Sequence, residues 1–317
     1  MRKSASARDI YTGSLLFLFT SIAVVLPAAS AHATPAPGLM VLVGGHRLHL
    51  YCSGVGEPVV IMDSGLGGTS LDWSRVQPRV SEFTRVCVYD RAGYGWSETG
   101  PLPRTSRRIA GELHALLQTA GVQGPYVLVG HSFGGYNMQL FASRYPQDTA
   151  GVVLVDSSHA DQYRRFRRAG LRHMRLPGRN FFMRVNLHIP ENMPVPLQPL
   201  LRALASKEAF QSTVYYELRS MGDSARQVGF AEFPPDVPLI VLTRGRRVWP
   251  DDSNGNRSEA LWLELQDDLL ARSTVASQLV AGNSGHYIHL DEPVLVVRAI
   301  RRLVEARRGV TAMRASW

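Results

Sequence analysis

The segment Gly130-His131-Ser132-Phe133-Gly134 sets a serine between two glycines in the pattern G-x-S-x-G. The apolar run Tyr126–Val129 leads directly into it, and a helical pattern from Phe133 to Tyr145 leaves it. A sharp strand-to-helix turn crowds its own backbone, so glycines beside the serine are what such a turn demands. The hydroxyl is then exposed at the carboxyl edge of a sheet and the amino end of a helix, a position suited to a nucleophile. A serine of ordinary acidity attacks poorly unless a base takes its proton. His286 follows Ser284-Gly285 between the last strand pattern and the last helix pattern, with His289 three residues on as its local competitor. His131 adjoins the serine, and its side chain is expected to point away from the turn in a structural role. A carboxylate that orients the imidazole is the third requirement. Asp156 ends the run Val152–Val155, while Asp251 and Asp252 follow Leu239–Leu242 by a loop.

These residues need a frame. Strand patterns occur at Leu39–Val43, Arg47–Tyr51, Val59–Asp63, Arg85–Tyr89, Tyr126–Val129, Val152–Val155, Leu239–Leu242 and Gln278–Ala281. From Val59 onward they are mainly continuous apolar runs, as in strands buried on both faces. Between them, Thr105 can cap a helix whose Ile109, Leu113, Leu116 and Leu117 share a face, ending at Gly121. Pro146 stops the helix after the serine, and two more helices fit Ser258–Ala271 and Pro293–Ala306. Such alternation predicts an α/β fold: a mostly parallel eight-stranded sheet with helices on both faces. The first two runs, joined through Gly44-Gly45, predict an antiparallel hairpin at one edge. Between His159 and Pro235 the alternation stops, leaving helical pieces such as Leu197–Ala209 and Ser212–Met221 and no clear strand pattern. The expected organisation is a core of residues 34–159 and 236–306, a helical cap over 160–235, and a tail over 307–317.

At this point the chain resembles the α/β-hydrolase superfamily, in its lipase, esterase and peptidase branch. The likeness spans about residues 39–159 and 236–306. It rests on Asp63-Ser64-Gly65-Leu66-Gly67-Gly68, Tyr89-Asp90-Arg91-Ala92-Gly93-Tyr94-Gly95, Gly130–Gly135 and Gly285-His286, in the superfamily's order. The resemblance implies an α/β-hydrolase fold and acyl transfer by Ser132 with His286 as general base. It puts the oxyanion hole on the backbone N–H groups of Phe133 and Leu66. Many relatives begin the loop that carries Leu66 with His-Gly, where this chain has Ser64-Gly65. Many also carry the acid about three residues after the glycine that ends the penultimate strand, a slot filled here by Val248. Others carry it one strand earlier, which favours Asp156 over Asp251 or Asp252. Asp291 follows the histidine, against the usual order of serine, acid, histidine. The Asp90-Arg91 stretch is expected to serve packing and ion pairing. Relatives that open epoxides or displace halide use an aspartate at the elbow, so Ser132 argues against both reactions. The implied activity is hydrolysis of carboxylic esters through an acyl-enzyme, with no metal or organic cofactor. An amino-terminal peptidase or acyltransferase on the same triad, or a non-catalytic ligand-binding protein, are the alternatives.

Composition agrees with a sizeable core: of 317 residues, 45% are hydrophobic and 19% charged. The net charge of +9 is concentrated in residues 1–9 and 160–184, the latter holding eight arginines against Asp161. Without a reading motif this does not point to nucleic acid. Arg164, Arg165, Arg167, Arg168, Arg172 and Arg175, interleaved with apolar residues, form either a solvated helix face or a surface attracted to anionic lipid or acidic substrates. At the amino terminus a basic start, the apolar run Leu15–Leu26 and Ala31-His32-Ala33 form the pattern of a secretory signal cleaved after Ala33, or of an uncleaved anchor. Either reading places the folded part outside the cytoplasm. An oxidising compartment would then permit a disulfide between Cys52 and Cys87 if their strands are neighbours; the alternative is two buried thiols.

Overall fold

The computed structural model describes residues 35–171 and 189–309. The signal or anchor pattern, Arg172, Arg175 and most of the expected tail lie outside the described residues.

Eight strands form one sheet in the order β1-β2-β4-β3-β5-β6-β7-β8. They are β1 (Leu39–Val43), β2 (His46–Ser53), β3 (Val60–Asp63), β4 (Val86–Tyr89), β5 (Tyr126–His131), β6 (Thr149–Val155), β7 (Leu239–Arg244) and β8 (Ala276–Ala281). The edge hairpin β1–β2 is antiparallel, β2 runs antiparallel to β4, and the other neighbours are parallel. Each expected strand is present, most extended by one to three residues at an end. Cys52 and Cys87 face each other across β2 and β4 and are joined by a disulfide.

The parallel strands are buried on both faces, so consecutive residues feed opposite cores. Ile61, Leu128, Leu154 and Val241 pack on one side, with Leu113, Leu117, Met138 and Phe141. Those four come from α2 (Ser106–Thr119) and α3 (Phe133–Arg144). Met62, Val129, Val153 and Ile240 pack on the other, with Val80, Val296, Ile300 and Leu303. Here the helices are α1 (Gln77–Val80) and α9 (Pro293–Arg307). Thr105 occupies the N-cap position of α2, but its hydroxyl makes no capping bond. Instead the Ser106 N–H donates to Ser224 Oγ at 3.0 Å, so another helix satisfies this end.

Between β6 and β7 the described residues contain no strand; their α-helices are α4 (Gln162–Arg168), α5 (Gln198–Ala205) and α6 (Glu208–Gly229). The expected Leu197–Ala209 helix breaks at Ser206-Lys207, and Ser212–Met221 is the middle of a helix twice as long. Met221, Ala225 and Val228 of α6 pack on Ile109, Phe133, Tyr136 and Leu140, which ties it to α2 and α3. After β7, and ahead of α9, come α7 (Ser253–Asp268), five residues ahead of its expected start because Asp252 caps it, and the short α8 (Ile288–Asp291). In α4, Arg164 is paired with Asp161 and Arg165 with Asp268, so these two members of the basic cluster are already neutralised.

Strand order explains where chemistry is possible. The chain steps from β3 outward to β4, then returns to place β5 on the other side of β3. Loops leaving the carboxyl ends of β3 and β5 therefore diverge from adjacent strands and open a crevice.

Candidate active site

Ser132 sits between β5 and α3 with φ 50° and ψ −117°. It and Asp156, φ 40°, are the non-glycine residues with positive φ among the described residues. Such backbone is strained for an L-residue and persists only where surroundings enforce it. For Ser132 the enforcement is visible: its N–H donates to Val155 O at 3.1 Å and its carbonyl accepts from Ser158 N at 3.0 Å. Gly134 explains the glycine after the serine, since a Cβ there would lie 2.4 Å from Asp63 O and 2.7 Å from Ser64 O. The first turn of α3 thus packs directly on the loop that leaves β3.

His286 lies between β8 and α8. Its Nδ1 is 2.6 Å from Asp156 Oδ2. Asp156 is fully buried and receives two further partners. Arg244 Nη1 donates to both its oxygens, at 2.9 and 3.2 Å, and Trp262 Nε1 donates to Oδ1 at 2.9 Å. Burial alone would push this carboxyl up, but the His286 hydrogen bond, the Arg244 charge and the Trp262 bond together hold it below the ordinary aspartate value. Asp251 instead pairs with Arg247 at the surface, and Asp252 Oδ1 accepts the Gly255 N–H at 2.7 Å as the cap of α7. Asp291 is also occupied elsewhere, accepting from Ser284 Oγ and Gly285 N at 3.0 Å and so bracing the turn that carries His286.

Arg244 and Trp262 were not singled out from the sequence. The Arg244 guanidinium centre lies 4.9 Å from the Trp249 ring and 5.0 Å from the Trp262 ring. Its Nη2 donates to Glu259 Oε2 at 2.9 Å, and Glu259 Oε1 accepts the N–H groups of Val248 and Trp249. Two carboxylates and two ring faces thus offset the cost of burying this cation. The only sequence signal for it was negative: Val248 in the slot where many relatives carry the acid.

The other histidines are imidazoles set behind the site. His131 Nε2 is 2.9 Å from the His286 carbonyl oxygen, and burial holds its pKa well below the ordinary value. His289 is completely buried, and burial followed by the nearby His286 lowers it to about 3. Both stay neutral at physiological pH.

Ser132, His286, Leu66 and Phe133 line a single cavity of about 270 Å³. Met221, Val248, Trp249 and Trp262 give it an apolar wall, and Ser158, Gln162 and Arg244 add polar atoms. The Ser64-Gly65 variant of the loop is internally braced: Ser64 Oγ donates to Thr69 O at 2.7 Å, and Gly68 N to Gly65 O at 3.0 Å. Among the described residues no group of three or more His, Cys, Asp or Glu side chains is placed to hold a metal ion.

Residues 59–299 match the Alpha/beta hydrolase family. The chain belongs to that family. It is 27% identical over 241 residues to an uncharacterized Bacillus subtilis protein, YqjL, covering 76% of this chain and 81% of the relative. Among solved structures, a serine hydrolase involved in carbazole degradation is similar at TM-score 0.60 and 19% identity, over 84% of this chain and 98% of the other. An evolved variant of a potato epoxide hydrolase is similar at TM-score 0.67 and 15% identity, over the same shares of the two chains. These structural likenesses are likenesses of fold. Membership of an α/β-hydrolase family supports an enzyme.

Proposed function

We propose that the protein is an exported serine hydrolase that cleaves carboxylic esters through an acyl-enzyme. The observation that carries this reading is the 2.6 Å contact between His286 Nδ1 and the buried Asp156, with His286 lining the same cavity as Ser132. With the Nδ1 proton held by the carboxylate, Nε2 is the free basic nitrogen. Ser132 Oγ attacks the ester carbonyl as Nε2 takes its proton. The carbonyl oxygen becomes an oxyanion held by the N–H groups of Leu66 and Phe133. Collapse of this intermediate passes the proton to the departing alcohol and leaves the acyl group on Ser132. Water, deprotonated by His286, then attacks the acyl carbon and releases the acid. The apolar wall of the cavity favours an uncharged acyl or alcohol group.

Export is supported by the basic, apolar and small-residue pattern of residues 1–33 and by the Cys52–Cys87 disulfide, which suits an oxidising compartment. Mass analysis of the mature amino terminus after expression in an exporting host tests it, with cleavage after Ala33 as the expected result.

The test of chemistry is labelling with a fluorophosphonate probe, mapped by mass spectrometry. An adduct on Ser132 in the wild type, absent in Ser132→Ala, is expected together with turnover of p-nitrophenyl butyrate. A folded wild type that neither labels nor turns over ester would favour a ligand-binding protein instead. Faster cleavage of amino-terminal amides than of esters would favour a peptidase.

A further inference from the structure

Arg91, in the turn after β4, is 2% exposed and is fixed from every side. A guanidinium has five N–H donors, and five acceptors surround this one. Nε donates to Glu217 Oε1 at 2.9 Å, and Nη1 to Asp63 Oδ1 at 2.7 Å and Ser64 O at 2.6 Å. Nη2 donates to Gly65 O at 2.8 Å and Glu217 Oε2 at 3.0 Å. The Gly65 oxygen belongs to the same peptide group as the Leu66 N–H. A cation bound to the oxygen of a peptide fixes the plane of that group and draws electron density from its nitrogen, which makes the N–H a stronger donor. The guanidinium centre also lies 5.4 Å from the ring of Phe133, the other residue assigned to the oxyanion hole.

The anchor for Arg91 comes from α6. Glu217 is completely buried and holds the guanidinium through both oxygens. Tyr94 Oη donates to Glu217 Oε2 at 2.8 Å and accepts the Gly67 N–H at 3.4 Å, so the oxyanion loop is gripped again two residues on. Asp63 is shared with Asn137, whose Nδ2 donates to its second oxygen at 2.7 Å. We infer that Arg91 and Glu217 are positioning residues that orient and polarise the Gly65–Leu66 peptide, so that the α6 helix helps set the oxyanion hole as well as wall the cavity. This rests on the hydrolase reading above.

The test uses Arg91→Lys and Glu217→Gln in the full chain. Lysine keeps the charge facing Asp63 and Glu217 but has no planar fork to span five acceptors. Glutamine leaves Arg91 and Asp63 as a balanced pair. Each variant is compared with wild type for kcat and KM on p-nitrophenyl butyrate and for inhibition by phenylboronic acid, whose serine adduct places an oxygen in the oxyanion hole. Loss of a whole oxyanion donor costs about 10²–10³-fold, so a mis-aimed one is expected to lower kcat about 10- to 100-fold. KM should stay within about threefold, and boronate affinity should fall in parallel with kcat, because the damage is to transition-state binding. A folded variant with reduced thermal stability but wild-type kcat and boronate affinity would overturn the inference. Tyr94→Phe, which removes one hydroxyl from the network, gives the same comparison if either charge variant fails to fold. Absence of fluorophosphonate labelling in the wild type would instead overturn the hydrolase reading, and this inference with it.

Discussion

Asp156→Asn perturbs one atom at the centre of the site, and its consequence can be worked out from four contacts. Oδ1 accepts from Trp262 Nε1 and Arg244 Nη1, and Oδ2 faces His286 Nδ1 and Arg244 Nη1. An asparagine must turn its NH₂ toward one of these two sides. On the Oδ1 side it would meet two obligate donors, the indole N–H and the guanidinium, a repulsive and unsatisfied arrangement. On the Oδ2 side it also meets the guanidinium, but His286 can adapt by moving its proton from Nδ1 to Nε2 and accepting the amide N–H. The amide is therefore expected to settle toward His286 and lock the tautomer that cannot take a proton from Ser132. On the proposed mechanism, locking that tautomer is expected to lower kcat by about 10⁴-fold, equivalent to about 5.5 kcal/mol of transition-state stabilisation. Arg244 keeps Glu259 as counter-ion at 2.9 Å, so the variant should fold. The assay is kcat on p-nitrophenyl butyrate beside circular dichroism, with Asp251→Asn and Asp252→Asn as controls. Both controls should retain activity within about twofold, because one loses a surface ion pair and the other keeps an effective helix cap. A kcat within tenfold of wild type for Asp156→Asn, or an equally large loss for Asp251→Asn, would refute the reasoning.

Three further outcomes are expected. Asp72 is buried, and desolvation raises its pKa from 3.8 to about 7. An acid that holds its proton more tightly when folded costs stability progressively as pH rises through that window, so Asp72→Asn should raise the melting temperature at pH 8 and leave it unchanged near pH 4. Gly134→Ala would drive a methyl into the backbone oxygens of Asp63 and Ser64, at 2.4 and 2.7 Å, and should cost about 1–3 kcal/mol in denaturant unfolding while abolishing fluorophosphonate labelling. The Cys52–Cys87 bridge closes a 35-residue separation, for which the chain-entropy relation gives about 4 kcal/mol. A Cys52→Ala/Cys87→Ala protein should show that loss in its urea midpoint with kcat unchanged.

The sheet was legible because its signal is local. Continuous apolar runs bounded by Gly, Pro and Asp mark strands buried on both faces, and the largest drift of a boundary comes where the small or polar residues Thr149, Ala150 and Gly151 begin β6. The full length of α6 was hidden for the opposite reason. Its inward face carries Glu217, Ser220 and Ser224, polar residues that suggest a solvent face. Their partners, Arg91 for Glu217 and the Ser106 N–H for Ser224, lie more than a hundred residues away in sequence. The same limit governed the acids. Asp156, Asp251 and Asp252 all follow strands, and only the meeting in space of the end of β6 with the turn after β8 brings one of them to the imidazole. Arg244 touches that carboxylate from the end of β7 and Trp262 from α7, contacts that no local pattern encodes.

The chain of contacts from Asp156 through Arg244 to Glu259 and the backbone of Val248 and Trp249 has an evolutionary consequence. Two walls of the cavity differ in how freely they can diverge. Met221 reaches the cavity from an apolar cluster with Ile109, Phe133, Tyr136 and Leu140, where a flexible thioether can change size with repacking of apolar neighbours alone. Trp249 and Trp262 cannot, because each also lies against the guanidinium that neutralises Asp156. Substitutions there should be epistatic with Arg244 and Glu259, altering turnover and selectivity together. Selection for new substrates in this scaffold would accordingly begin on the α6 side of the cavity, and reach the tryptophan side only through paired changes.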